Sequence, residues 1–386
     1  MAAQATSTRL SNMTKITCVY CGKPFMADRT NGDPVCPNCG SKYMAPLRDT
    51  AAGPTPQFKI PTPREASLSP IAATAGRLID NIEKVIVGKH DEILLTVMAY
   101  FAEGHVLLED VPGVAKTMLA RALARSIGCD FKRIQCTPDL LPNDITGSSI
   151  FNPKTTEFEF RPGPLFAQIV LADEINRATP RAQAALLEAM AERKVTADGN
   201  NYELTPPFLL IATQNPIDHE GTFPLPEAQL DRFLVRLSLG YPQFEHEVAM
   251  LQRLKSEHPI STLETDASAE EIMTCQAAVR EVFVDEKILR YIVQLIKATR
   301  EHYDINLGGS PRASMALLRC AQSFAAIQGF DFVMPDDVKS IVNYVLGHRL
   351  ILRPESRLRK KTVRGVLDEI MNTVPVPPMP PTGFAK

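Results

Sequence analysis

The sequence predicts an α/β protein: a phosphate-binding αβα domain over residues 70–241, an all-α domain over 242–371, and a small metal-ligated ribbon over 1–43 ahead of both. Three observations carry that prediction. "HVLLEDVPGVAKTMLARALA" reads as strand, loop and helix, "AQIVLADEINRATP" is an apolar strand ending in two carboxylates, and "CVYC" with "CPNC" sets four cysteines in two close pairs. Hydrophobic residues fill 45% of the 386 positions, enough for the buried cores of two or three ordinary domains.

Cys18 and Cys21 form the first pair and Cys36 and Cys39 the second, with fourteen residues between them. Two residues between thiolates let both point at one tetrahedral ion, and Gly22 and Gly40 permit the positive φ that such knuckles use. Four thiolates close a zinc coordination sphere and leave no position for water, so Zn2+ here is expected to be structural. A redox dithiol is the alternative, disfavoured because neither pair follows a strand and opens a helix. Cys129, Cys136, Cys275 and Cys320 stand among apolar neighbours and read as small buried hydrophobes. Residues 44–69, rich in proline and small residues, read as a semi-rigid linker, and 372–386 as a proline-rich tail.

The stretch 107–124 nearly matches a phosphate-binding loop, whose pattern is a glycine, four residues, then Gly-Lys-Ser/Thr. Aligned on Lys116 and Thr117, the outer glycines are replaced by Asp110 and Ala115. Gly113 remains at the sharpest bend. Asp110 tolerates a strand-end or left-handed conformation with its carboxylate turned away from the loop, and Ala115 adds only a methyl group. What binds phosphate is retained: the amides of Gly113, Val114, Ala115, Lys116, Thr117 and Met118 at a helix N-terminus, the Lys116 ammonium and the Thr117 hydroxyl. In the helix that follows, Leu119, Ala122, Leu123 and Ser126 fall on one face.

The next strand ends in Asp173-Glu174, the form of a Walker B motif. An aspartate there holds Mg2+ through water, and the adjacent glutamate polarises the attacking water. A third strand, "PFLLIATQNP", ends at Asn215, placed to orient water or touch a γ-phosphate. Residues 144–166 read as an insertion interrupting a helix between the two motifs, and "RKVTADGNNYELTPPF" as a hairpin turning near "ADGNN".

Taken together, "VIVGKHDEI", "EDVPGVAKT", "VLADEINRATPRAQAALLEAMAER", "IATQNPIDHEGTFPLPEAQLDRF" and "GGSPRASMALLRCAQSFAAIQG" resemble the MoxR group of AAA+ ATPases over about residues 70 to 370, in order and spacing. That resemblance implies an AAA+ ATPase domain followed by a helical lid. It assigns Lys116 to the ATP phosphates, Thr117 and Asp173 to Mg2+, Glu174 to water activation and Asn215 to sensor 1. Arg232 in "QLDRF" is similar to the arginine finger that acts on ATP in the neighbouring subunit, with Arg236 a second candidate, and Arg312 in "GSPRA" to sensor 2. Ile86, Val87 and Gly88 resemble the segment that cups adenine. The family further implies a homo-oligomeric, hexameric ring that remodels a protein client, a separate von Willebrand factor A-type partner, and hairpins that face a central pore.

A net charge of -2 makes no general case for a nucleic-acid or anionic-membrane partner. No run of about 18 apolar residues suggests a membrane span, and the N-terminus lacks a secretory apolar core, so a cytoplasmic, reducing location is expected. The second functional reading is a nucleic-acid-associated ATPase targeted by its ribbon. The basic residues Lys15, Lys23, Arg29 and Lys42 support it only thinly beside Asp28 and Asp33.

Overall fold

The structure is a computed structural model that describes residues 69–216, 222–253 and 259–377, with two strands ahead of them. It divides into two units, 1–59 and 60–386. In the first, Met13–Thr17 pairs antiparallel with Pro24–Asp28, closing at Thr17 opposite Pro24. Cys18, Cys21, Cys36 and Cys39 lie outside the described residues, as does most of the expected linker.

The second unit is built on five parallel strands: β1 (Val106–Glu109), β2 (Phe131–Gln135), β3 (Ile169–Asp173), β4 (Leu209–Gln214) and β5 (Val235–Leu237). Their spatial order is β5-β1-β4-β3-β2. The central strands are covered on both faces, and so β3 is buried throughout and β4 from Leu209 to Thr213. Register decides the chemistry. Gln214 pairs with Glu109 and Gln135 with Asp173, so the carboxyl ends of β1, β2, β3 and β4 finish level along one edge, where ligands of open α/β sheets bind.

Helices α1 (Pro70–Glu83), α2 (His90–Phe101), α3 (Lys116–Ile127) and α4 (Pro180–Glu192) cover the sheet. Two of them begin alike: Ser69 and Thr179 accept a hydrogen bond from the third residue on, with proline pre-setting the first turn. The predicted face of α3 is buried at Leu119, Ala122, Leu123 and Ser126.

After Gly240, held at φ 60, come the helices of the lid: α5 (Phe244–Arg253), α6 (Ala269–Arg280), α7 (Glu286–Glu301), α8 (Pro311–Ile327), α9 (Pro335–Leu346) and α10 (Val363–Thr373). The region is not purely helical, because Ile305–Leu307 pairs with Ile351–Leu352. It also packs against the helices of the sheet domain. The α2 helix is buried at every residue from Ile93 to Phe101, with Gln276 donating to the Tyr100 carbonyl (2.9 Å) and Ser323 to that of Met98 (2.8 Å).

The insertion at 144–166 differs from its sequence reading. A five-residue helix, Pro142–Thr146, runs into its start, and most of the rest is a hairpin of Gly147–Asn152 with Glu157–Pro162. Its root is closely packed, since a Cβ on Gly147 (φ 90) would lie 2.2 Å from the Arg161 carbonyl oxygen. The expected second hairpin forms from Lys194–Ala197 and Asn200–Glu203, turning at Asp198 (φ 51) and Gly199 (φ 78), the left-handed pair that a tight hairpin turn requires. Phe160 stacks on Tyr202 at 4.1 Å and joins the two hairpins. Cys136, Cys275 and Cys320 are buried as expected, whereas Cys129 is only partly so.

Candidate nucleotide site

Strand β1 delivers the chain to the loop at Asp110, whose amide donates to the Gln214 carbonyl (3.1 Å) and extends the β1–β4 ladder by one bond. Asp110 is buried, with 7% of its surface exposed. Its Oδ1 accepts from the Val111 amide (2.9 Å), and its Oδ2 from the Gly240 amide (2.6 Å) and the Ser238 hydroxyl (3.1 Å). The carboxylate thus points away from the loop and ties its start to the segment that leads into the lid. A residue that departs from the glycine pattern is therefore a strut. Asp110→Ala, which leaves these donors facing a void, is expected to cost about 2–3 kcal/mol in denaturant unfolding without nucleotide. An unchanged midpoint would refute the strut.

Gly113 (φ 84) and Ala115 (φ 65) are both left-handed, and Gly113 has open space where a side chain would stand. Ala115 therefore costs more than the methyl group expected from the sequence: a left-handed alanine carries about 1–2 kcal/mol of backbone strain. It caps α3 with no side-chain bond, so the first amides of that helix face the loop. Lys116 Nζ folds over the loop and donates to the carbonyls of Asp110 (2.7 Å) and Val111 (3.3 Å). Burial lowers its pKa, opposed by Asp110, Asp173 and Glu174. Thr117 and Met118 occupy the next positions of the first turn, and Val114 is buried beneath the loop.

Across the sheet edge, Asp173 is fixed on both oxygens. Its Oδ1 accepts from Thr213 (2.6 Å), and its Oδ2 from Arg133 Nε (3.0 Å) and Nη2 (2.5 Å). The Thr213 hydroxyl also accepts from the Glu174 amide (2.8 Å), pinning Glu174 in a left-handed conformation, φ 57. One buried hydroxyl on β4 thus orients both acidic residues. The Glu174 carboxylate meets Arg177 at 3.2 Å. Asn215, buried, continues from β4 beside them, with its carbonyl accepting from Asn176 (3.4 Å). The Cys136 thiol nearby is pushed up to about 12 by burial, then by Asp173 and Glu174, and stays protonated at neutral pH.

The remaining candidates are more distributed. Arg232 donates to the Leu187 carbonyl on α4 (2.6 Å). Arg236 pairs with Glu109 (2.8 Å) and the Gly347 carbonyl (3.1 Å), which makes it a clamp between sheet and lid. Arg312, in the first turn of α8, is exposed and makes no hydrogen bond or ion pair with the described residues. Ile86, Val87 and Gly88 (φ 71) lie between α1 and α2, and a Cβ on Gly88 would lie 2.0 Å from His246 Nδ1 of α5.

Sequence reasoning missed Thr213 and Arg133. Arg133 meets Asp173 only because β2 and β3 are neighbours, a fact of strand order. Thr213 alone carried a signal, two residues before Asn215 on an otherwise apolar strand.

Comparison with known proteins agrees with this geometry. Residues 105–235 match the family model described as "ATPase family associated with various cellular activities (AAA)", and residues 297–370 match an AAA lid domain. The chain is 51% identical over 302 residues to the uncharacterised YeaC protein of Bacillus subtilis, covering 78% of this chain and 94% of that one. It is 37% identical to chaperone MoxR1 of Mycobacterium tuberculosis, with 87% and 90% covered, and 30% identical to protein MoxR of Methylorubrum extorquens, with 82% and 98% covered. A crystal structure from Cytophaga hutchinsonii, described as a candidate ATPase, superposes with a TM-score of 0.75 at 36% identity, covering 80% of this chain and 96% of that one.

Proposed function

The chain belongs to the MoxR family of AAA+ ATPases, and from that premise we propose that it is a ring-forming, Mg2+-dependent ATPase that turns ATP hydrolysis into remodelling of a protein client. The observation that carries the reading is the Thr213 bridge: close to the phosphate-binding loop at the sheet edge, a single hydroxyl on β4 bonds both the Asp173 carboxylate and the backbone amide of Glu174. Asp173 and Thr117 supply the oxygen donors that suit a hard cation, and bound Mg2+ would neutralise phosphate charge. Lys116 and the loop amides hold the phosphates. Glu174 draws a proton from the attacking water while Asn215 orients that water, and Arg232 reaches ATP of the next protomer. Arg312 reads the nucleotide from the lid.

The chaperone MoxR1 relative supports a protein client. The joined hairpins give such a client a surface: Phe151 and Phe158, 49% and 73% exposed, pair edge to face at 5.4 Å. A separate von Willebrand factor A-type partner and a hexameric ring belong to the same reading. Affinity capture on a Glu174→Gln variant with ATP tests it. Retention of a protein supports client remodelling; retention of nucleic acid alone, released by salt, would replace it with the nucleic-acid reading.

We further propose that Cys18, Cys21, Cys36 and Cys39 bind one Zn2+. The strands Met13–Thr17 and Pro24–Asp28 bracket the first cysteine pair. Chelation is expected to release one zinc per chain and leave the melting transition of the ATPase core in place. Absence of zinc, or loss of the core transition, would contradict this.

A further inference from the structure

The finger candidate sits beside a junction that its own motif does not explain. Asp231, the residue before Arg232, accepts from the lid on both carboxylate oxygens: Oδ1 from Arg349 Nε (2.8 Å) and Oδ2 from the Ser310 hydroxyl (3.0 Å). Ser310 is also the N-cap of α8, taking the Ala313 amide at 3.3 Å, and Arg312 lies in that first turn. Arg349 is almost wholly enclosed, its side chain 2% exposed. It donates further to the carbonyls of Asp231 (3.3 Å), Phe233 (2.6 Å) and Leu234 (3.1 Å), and His348 adds a second bond to Phe233 (3.1 Å). The backbone around Arg232 is therefore gripped by the lid, while its guanidinium rests on α4 of the sheet domain.

We propose that Asp231 is a positioning residue that makes the arginine offered to the neighbouring protomer follow the lid of its own protomer. This rests on the reading of Arg232 as a finger acting in trans. Ser310 gives Asp231 a rigid link of one hydrogen bond to the helix that carries Arg312. A displacement of the lid carries Asp231, and with it the peptide of Arg232, because a buried ion pair and four carbonyl bonds move together. The geometry of the arginine offered to the next site thereby depends on the lid that grips it.

Mixed rings of full-length protein test this. Lys116→Ala protomers lend a finger but hold no ATP, and Arg232→Ala protomers hold ATP but lend no finger. Recovered ATP turnover of the mixture is the baseline, and its absence despite co-assembly would overturn the finger reading and this inference with it. Adding Asp231→Asn to the finger-lending protomer is expected to lower the recovered turnover about tenfold or more, while adding it to the ATP-holding protomer changes turnover less than threefold. Equal recovery with and without the substitution on the lending side overturns the proposal, and so does an equal loss on both sides, which would mark general damage. Because Asp231→Asn strands a buried guanidinium, Ser310→Ala provides a milder cut at the same link. It is expected to show the same one-sided loss, and Ser310→Thr to restore turnover. Failure of Ser310→Ala to act on the lending side alone also overturns the link.

Discussion

Lys116→Ala is expected to abolish ATP binding, whereas Glu174→Gln retains wild-type affinity and loses at least about a hundredfold in turnover. The difference follows from when each group acts. Lys116 stands over the loop, its Nζ already collected by the Asp110 and Val111 carbonyls, and in the proposed role it would contact phosphate in the ground state. Glu174 is held to one side by its amide bond to Thr213 and matters only when water attacks. Titration with a fluorescent ATP analogue and single-turnover phosphate release separate the two. Equal affinity for wild type and Lys116→Ala would show that this loop is not the nucleotide site. Unimpaired turnover in Glu174→Gln would move the water-activating role elsewhere.

Arg232→Ala is expected to bind ATP nearly normally and to lose about 10³–10⁵ in turnover, the range that a trans-acting arginine contributes to phosphoryl transfer. Its half-buried guanidinium bonds to the Leu187 carbonyl on α4 and, among the described residues, to no part of its own phosphate-binding loop. Arg236 is the other candidate, but its ion pair with Glu109 and its bond to the Gly347 carbonyl commit it to its own protomer. Arg236→Ala is therefore expected to loosen sheet from lid and lower the unfolding midpoint, rather than to abolish turnover selectively. Turnover measured against protein concentration completes the test: a site finished by a neighbour loses specific activity on dilution. Wild-type activity in Arg232→Ala, or activity independent of concentration, would remove the finger from this position.

The elements that bear chemistry were legible because they obey local rules. The loop and its helix, the strand into Asp173 and the strand into Asn215 announce themselves through apolar runs, a bend glycine and polar ends. Those signals need only a few neighbouring residues, and the face of α3 falls where its periodicity places it. The hairpin at 194–203 was equally local, turning at an Asp-Gly pair. The 144–166 insertion was not, because its hairpin depends on two glycines that pack against backbone across its root.

By itself, the sequence determined the two-part architecture, the strand–loop–helix unit, the paired carboxylates and the family that the relatives bear out. Tertiary structure decided what holds those pieces at working distance. Asp110, conspicuous in the sequence as a lost glycine, becomes a strut only once Ser238 and Gly240 return to it across more than a hundred residues. Arg133 and Thr213 reach Asp173 through strand order and register, and Asp231 gains meaning from Ser310 and Arg349 in the lid. The physical reason is range. Apolar periodicity, helix capping and turn conformation act between residues a few positions apart, whereas a buried carboxylate must find its donors wherever the fold brings them, and its desolvation makes those distant partners obligatory.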